Sequence, residues 1–337
     1  MWSTIISYFQ EMTNRSSLKF WLKLLVGMGL FLFLICQFNL RDVAQNVKSV
    51  DLTWLSFSFL MANALVIAMA IRQTCLFKRG NLSISESVRL QFKATFASNF
   101  LPSGVGADAY KTFYLRSNGY SLVLASKWVF IDRFSGMLFT TLIGLIALSY
   151  DPLVISLRLD LPPTLLQMGC VLISAFIFSC MVMSSKWLFL QGVLQGYRQF
   201  LQLILVNVAV FSIQLLKFYA LCQMLYVDIS FLELAQLLLI FQFAALIPFT
   251  VGGLGVVEGA LVALFVMFDV SEGIAIVIAL MNRATVVQVS LIGAYIWTLV
   301  DEKRKTSQNK SGVVFFKLLI FNENQLHVRQ KIWEFLY

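Results

Sequence analysis

Apolar stretches of membrane-spanning length recur along this chain, and they limit what it can fold into more than any other feature. A bilayer core of ~30 Å is crossed by ~20 helical residues. Lys19–Phe38, Thr53–Phe77, Leu122–Ser149, Thr164–Ser184, Leu201–Tyr226 and Glu272–Val300 reach or approach that length. The chain is 59% hydrophobic and 13% charged, against ~25% charged in an average soluble domain, and its mean hydropathy is +0.81. The expected fold class is an all-α polytopic membrane protein. Residues 1–18 read as a cytoplasmic N-terminal segment, 19–300 as the transmembrane domain and 301–337 as a basic cytoplasmic or interfacial tail. Phe20–Phe38 is too long for a cleavable signal core, so it reads as the first span.

Two further apolar regions are broken. Glu86–Leu101 ends in Pro102-Ser103-Gly104-Val105-Gly106-Ala107-Asp108 and resumes as Ala109–Leu115. Phe231–Ile247 ends in Pro248-Phe249-Thr250-Val251-Gly252-Gly253-Leu254-Gly255 and resumes as Glu258–Phe268. At ~1.5 Å per residue the resumed arms are too short to cross. Each region reads as a re-entrant helix pair, giving six full spans and up to eight membrane segments. Non-helical backbone at such depth persists only when buried in protein or lining a cavity.

Charge sets the orientation. With the N-terminus in the cytoplasm, Arg15, Lys19, Lys23, Arg72, Lys78, Arg79, Lys111, Arg116, Lys186 and Arg198 fall inside, as do Lys303, Arg304 and Lys305. The opposite side holds Arg41, Lys48 and Arg158, offset by Asp42, Asp51, Asp151, Asp160, Asp228, Asp269 and Glu272. That distribution follows the positive-inside rule. Three spans separate the two broken regions, and an odd number puts them on opposite faces. The chain therefore reads as an inverted-topology repeat with halves near 53–149 and 201–300, an architecture of secondary transporters.

The repeat carries ionisable residues at depth. Asp108/Glu258, Asp132/Asn282 and Arg133/Arg283 keep one common offset. Each acid follows a break, and each arginine lies ~11 residues, or ~17 Å, into the next span. A charge at bilayer depth costs ~2.5–3.5 kcal/mol on insertion scales and persists where it has a partner or a task. Two roles fit each pair: a structural brace between loop and helix, or a guanidinium presented to a lipid phosphate, which it can bind bidentately. Asp132 is a local counter-charge for Arg133, although adjacent helical residues do not face each other.

In the second break Pro248 ends the incoming helix, and Gly252, Gly253 and Gly255 allow positive φ and a close approach to backbone. Glu258 then either caps the dipole of the outgoing helix or serves as a functional carboxylate. Pro102, Gly104 and Gly106 repeat the pattern more sparsely, and Asn99 is placed to hydrogen-bond the first loop. Lys217 sits mid-span, with Gln214 on the same face, and lines a cavity or contacts a loop carbonyl. Arg89, Lys93 and Lys111 form a basic vestibule or a headgroup-facing surface.

Other chemistry finds little support. Cys36, Cys75, Cys170, Cys180 and Cys222 lie in or beside apolar segments without a C-x-x-C pair and read as packing residues. The single histidine, His327, argues against a histidine metal site and against a Ser-His-Asp triad. No P-loop sequence exists, and the acids are too dispersed for a magnesium site. No cofactor is expected. The formal net charge of +9 faces anionic lipid and forms no groove for nucleic acid.

The run Asn99-Phe100-Leu101-Pro102 with Gly104-Val105-Gly106-Ala107-Asp108, then Asp132-Arg133, Pro248, Gly252-Gly253-Leu254-Gly255-Val256-Val257-Glu258 and Arg283, resembles the flippase-like integral membrane family. That family is also called the lysylphosphatidylglycerol synthase transmembrane-region family. The resemblance spans about residues 20–300. The family's first loop usually ends Gly-Gly-Asp with a following arginine; here Ala107 and Lys111 stand near those places. The resemblance implies a prokaryotic inner-membrane protein that moves phospholipids or polyprenyl-linked lipids between leaflets. Lysyl transfer is not expected, since no soluble synthase domain follows the spans. A membrane-embedded transferase is the alternative, and a non-transporting partner of an envelope-synthesis complex is a third reading. A homo-oligomer is compatible with all three.

Overall fold

The computed structural model describes residues 46–77, 82–99, 106–152, 155, 162–190, 197–246 and 252–304. The span expected at Lys19–Phe38, Pro102, Gly104, Pro248 and the tail from 305 onward lie outside the described residues. Among the described residues the protein is helical, without strands. In chain order the helices are α1 (Leu52–Leu76), α2 (Ile84–Ser98), α3 (Gly106–Ser117), α4 (Leu122–Tyr150), α5 (Pro163–Leu190), α6 (Tyr197–Gln223), α7 (Phe231–Ala244), α8 (Val256–Met267) and α9 (Glu272–Arg304). Among the described residues, α1, α4, α6 and α9 are long and apolar enough to cross a membrane. Helix α9 continues through Arg304, beyond the expected start of the tail at 301.

Local chemistry explains where these helices start. Ser83 and Glu86 form a capping box on α2, and Ser230 and Glu233 form its equivalent on α7. In the second, Ser230 N–H donates to Glu233 Oε2 at 2.8 Å and Glu233 N–H donates to Ser230 Oγ at 3.2 Å. Each box satisfies amides that have no partner within the first turn. Asp51 caps α1 by accepting from Thr53 N–H at 2.7 Å, and Ser121 caps α4 by accepting from Leu124 N–H at 3.3 Å.

The helices divide into two corresponding sets, α1–α4 and α6–α9, in which a long span is followed by two short helices and a second long span. Exchanging the sets reproduces the packing. Helix α2 lies against α9 as α7 lies against α4, α1 against α9 as α6 against α4, and α1 and α6 lie against each other. Helix α5 packs on α4.

Helices α1 and α6 run antiparallel. Asp51 N–H donates to Met224 O at 2.9 Å, Arg72 Nη1 to Asn207 Oδ1 at 3.3 Å, and Gln199 Nε2 to Cys75 O, so the α6 partners descend as α1 ascends.

The largest apolar core lies among α4, α6, α7, α8 and α9, with Phe218, Leu234, Leu238, Leu261, Phe265 and Ile278 buried in it. Large apolar side chains also point outward. Phe130, Phe176, Leu205 and Leu291 are each at least 64% exposed. A soluble monomer rarely presents so many; on a membrane protein these faces meet acyl chains.

Candidate functional site

Each half places its acid in the first turn of the helix that leaves the break: Asp108 on α3 and Glu258 on α8. Each arginine projects from the middle of the span that follows. Arg133 Nη1 donates to Asp108 Oδ2, and Arg283 Nε donates to Glu258 Oε1. Both pairs anticipated from their matched spacing are therefore formed.

They differ in enclosure. The Arg133 and Asp108 side chains are 31% and 20% exposed, those of Arg283 and Glu258 15% and 5%. The second pair is also better built. Gly255 N–H donates to Glu258 Oε2 at 2.7 Å, so the carboxylate caps α8 with one oxygen and pairs with arginine through the other. The capping role left open in the sequence is performed, together with the ion pair. Arg283 Nη1 donates to Gly252 O at 3.1 Å, while its Nη2 is buried without a hydrogen-bond partner among the described residues. Gly252, Gly253 and Gly255 have φ of 61°, 73° and 79°. Only glycine adopts this left-handed backbone freely, which suits the turn that leads into α8.

Gly252, in the second break, meets the end of α2. A Cβ on Gly252 would lie 3.0 Å from Asn99 O and 3.2 Å from Asn99 Cα, so the second loop rests on the residue that ends α2. Asn99 Nδ2 donates to Ser290 Oγ on α9 at 2.7 Å and ties the end of α2 to the opposite half.

Beside each arginine pair lies a second polar contact. In the first half Arg72 Nε donates to Asp132 Oδ1 at 2.8 Å, and Lys111 Nζ lies 3.5 Å from Asp132 Oδ2. Arg72, Lys111, Asp132 and Asn207 are all buried. In the second half Lys217 Nζ donates to Asn282 Oδ1 at 2.8 Å and lies 4.5 Å from the Phe218 ring centroid. Ser135 Oγ donates to Asp132 O at 2.9 Å, and Thr285 Oγ1 donates to Asn282 O at 2.7 Å, so the shared pattern reaches supporting hydroxyls.

These contacts correct four expectations. Asp132 holds Arg72 and Lys111 and is not the counter-charge of Arg133, because neighbouring residues on a helix point in different directions. Arg72 is not on a cytoplasmic surface: it is 5% exposed, since α1 carries it into contact with α4 and α6. Lys93 and Lys111 are 6% and 4% exposed and form no headgroup-facing surface, because α2 and α3 fold inward around them. Lys217 contacts a side-chain amide and not a loop carbonyl among the described residues. Arg89 donates to Ser85 O at 3.3 Å within its own helix. The Arg72–Asp132 contact had no sequence signal beyond the presence of a cation inside an apolar segment.

The family model described as Lysylphosphatidylglycerol synthase TM region matches residues 20–293, which include both breaks and every ion pair above. The chain belongs to that family. A comparison with curated proteins finds no match. In this family member the helices of membrane-spanning length enclose the polar network, so the protein is a multi-pass membrane protein with ionised groups gathered between its spans.

Proposed function

We propose that this protein is a lipid translocase that moves an anionic or modified lipid headgroup between leaflets while the acyl chains stay in the bilayer. The observation that carries the reading is the unfilled donor of Arg283. Its guanidinium engages Glu258 and the Gly252 carbonyl, yet one amino group is buried without a partner among the described residues. A phosphate can occupy that donor as the guanidinium opens from Glu258, because the planar fork matches two phosphate oxygens.

The antiparallel run of α1 against α6 and the exchangeable packing of the two helix sets support an inverted repeat. In that arrangement α2–α3 and α7–α8 are re-entrant pairs entering from opposite faces, and each half opens to one leaflet. Alternating access by rocking of such halves about a central site is the physics of many secondary transporters. The family is named for the membrane region of lysylphosphatidylglycerol synthase; a phospholipid or a polyprenyl-linked lipid is the corresponding cargo here. The reading includes no covalent chemistry by this membrane part. It places the protein in the inner membrane of a prokaryote with cytoplasmic termini, and its partners are membrane lipids.

Purified protein in liposomes carrying fluorescent phosphatidylglycerol tests this. Glu258→Gln and Arg283→Ala are expected to slow dithionite-measured leaflet exchange at least tenfold while gel-filtration profiles stay monodisperse. Exchange at the wild-type rate by folded variants refutes the site.

A further inference from the structure

One stripe of α9 serves both halves. Arg283, Ser290 and Trp297 stand at positions i, i+7 and i+14, so they share a face of the helix, and Gly293 lies one turn beyond Ser290. The later part of the stripe seats the end of α2. Ser290 Oγ accepts from Asn99 Nδ2 at 2.7 Å, a Cβ on Gly293 would lie 3.0 Å from Phe96 Cβ, and the Trp297 and Phe96 ring centroids are 5.9 Å apart. The first part holds the second break, where Arg283 Nη1 donates to Gly252 O at 3.1 Å.

Asn99 closes the circuit between these parts. Its side chain is tied to Ser290, and its main chain lies so near Gly252 that a Cβ there would stand 3.0 Å from Asn99 O. The contacts Ser290–Asn99–Gly252–Arg283 therefore begin and end on one helix. Gly252 is held on one side by the guanidinium and on the other by the residue that ends α2. Ser290 is 4% exposed, so its bond to Asn99 is made away from water, where removing one partner leaves the other unsatisfied.

We infer that Asn99 is a positioning residue for Arg283: bonded to Ser290, it keeps the Gly252 carbonyl on the guanidinium, and a movement of the first break, which follows it directly, releases that carbonyl. Release frees Nη1 beside the buried Nη2. Two donors of one guanidinium are what a phosphate needs for a bidentate bond. A change in the first half is then read in the second through packed contacts and hydrogen bonds. The contact circuit stands apart from the translocase reading; its consequence for transport rests on that reading. With the carbonyl permanently released, the second half stays receptive at every stage, and lipid taken up is not handed on.

Hydrogen–deuterium exchange of the full-length protein in detergent reads the circuit without a ligand. Asn99→Ala and Ser290→Ala are each expected to speed exchange of the amides at 252–258 about fivefold, the factor that one lost hydrogen bond supplies. The amides at 234–239, in the buried part of α7, keep their wild-type rates. The double variant matches either single variant, because both substitutions remove the same bond. Wild-type rates at 252–258 in the single variants overturn the inference, as does an equal rise throughout the protein, or a double variant in which the two effects multiply.

In liposomes the single variants are expected to slow phosphatidylglycerol exchange between leaflets about fivefold. Faster amide exchange at 252–258 with unchanged lipid exchange leaves Asn99 positioning Arg283 and removes that arginine from transport, so failure of the translocase reading is told apart from failure of the circuit.

Discussion

At the residue scale, Asp132 carries the heaviest electrostatic duty in the first half. It is 2% exposed and its two oxygens serve two buried cations, Arg72 and Lys111. Removing one partner of a buried pair costs ~3–5 kcal/mol, because the charge left behind cannot return to water. Asp132→Asn keeps the shape and strands two cations. Its thermal midpoint in detergent is therefore expected to fall by more than that of Asp108→Asn, which weakens an ion pair in a more open setting. Equal midpoints for the two variants would contradict this ordering.

The arginine pairs were legible beforehand, because acid and arginine recur at the same interval in both halves and each lies where an apolar segment should not tolerate charge. The Arg72 contact was not. Its partner lies on another helix, and a cation near the end of an apolar segment reads equally well as one reaching the interface. The importance of Asn282 was visible only through its shared offset with Asp132, since a neutral amide in a span carries no electrostatic signal of its own.

At the scale of elements, two glycines set how the halves interlock. A Cβ on Gly293 of α9 would lie 2.9 Å from the Phe92 carbonyl carbon and 3.0 Å from Phe96 Cβ of α2. A Cβ on Gly144 of α4 would lie 3.2 Å from Ala235 O of α7 and would press on Leu239. These are corresponding crossings of a short helix over the opposite half's long span, and small residues let helices in membranes approach closely. Gly293→Ala and Gly144→Ala each force backbone apart, at an overpacking cost of ~1–3 kcal/mol. Each is expected to lower the thermal midpoint and to reduce leaflet exchange, because α2 and α7 end at the breaks. Gly293→Ala meets main-chain atoms and is expected to be the more severe; a midpoint within 1 °C of wild type for both would remove the interlock from the account.

The helical class and the positions of the described helices followed from apolar length and from the Pro/Gly breaks, and the capping boxes at Ser83 and Ser230 fix where the short helices begin. The crossings did not, because a glycine within an apolar run gives no hint of which helix approaches it.

At the scale of the molecule, the membrane class was set by composition, and the matched halves by the order of breaks, acids and arginines. The inward folding of Lys93 and Lys111 was hidden, since counting charges by loop cannot distinguish a lysine facing lipid headgroups from one turned into a polar core. The claim on which the mechanism stands is that the halves enter the membrane from opposite sides. The turns that close the short helix pairs are exposed at Asn118, between α3 and α4, and at Ser271, between α8 and α9. A single cysteine placed at each position in a cysteine-free chain, probed by a membrane-impermeant maleimide on sealed vesicles of both orientations, reads this directly. Asn118→Cys should react from the cytoplasmic side and Ser271→Cys from the other; labelling of both from one side would contradict the account.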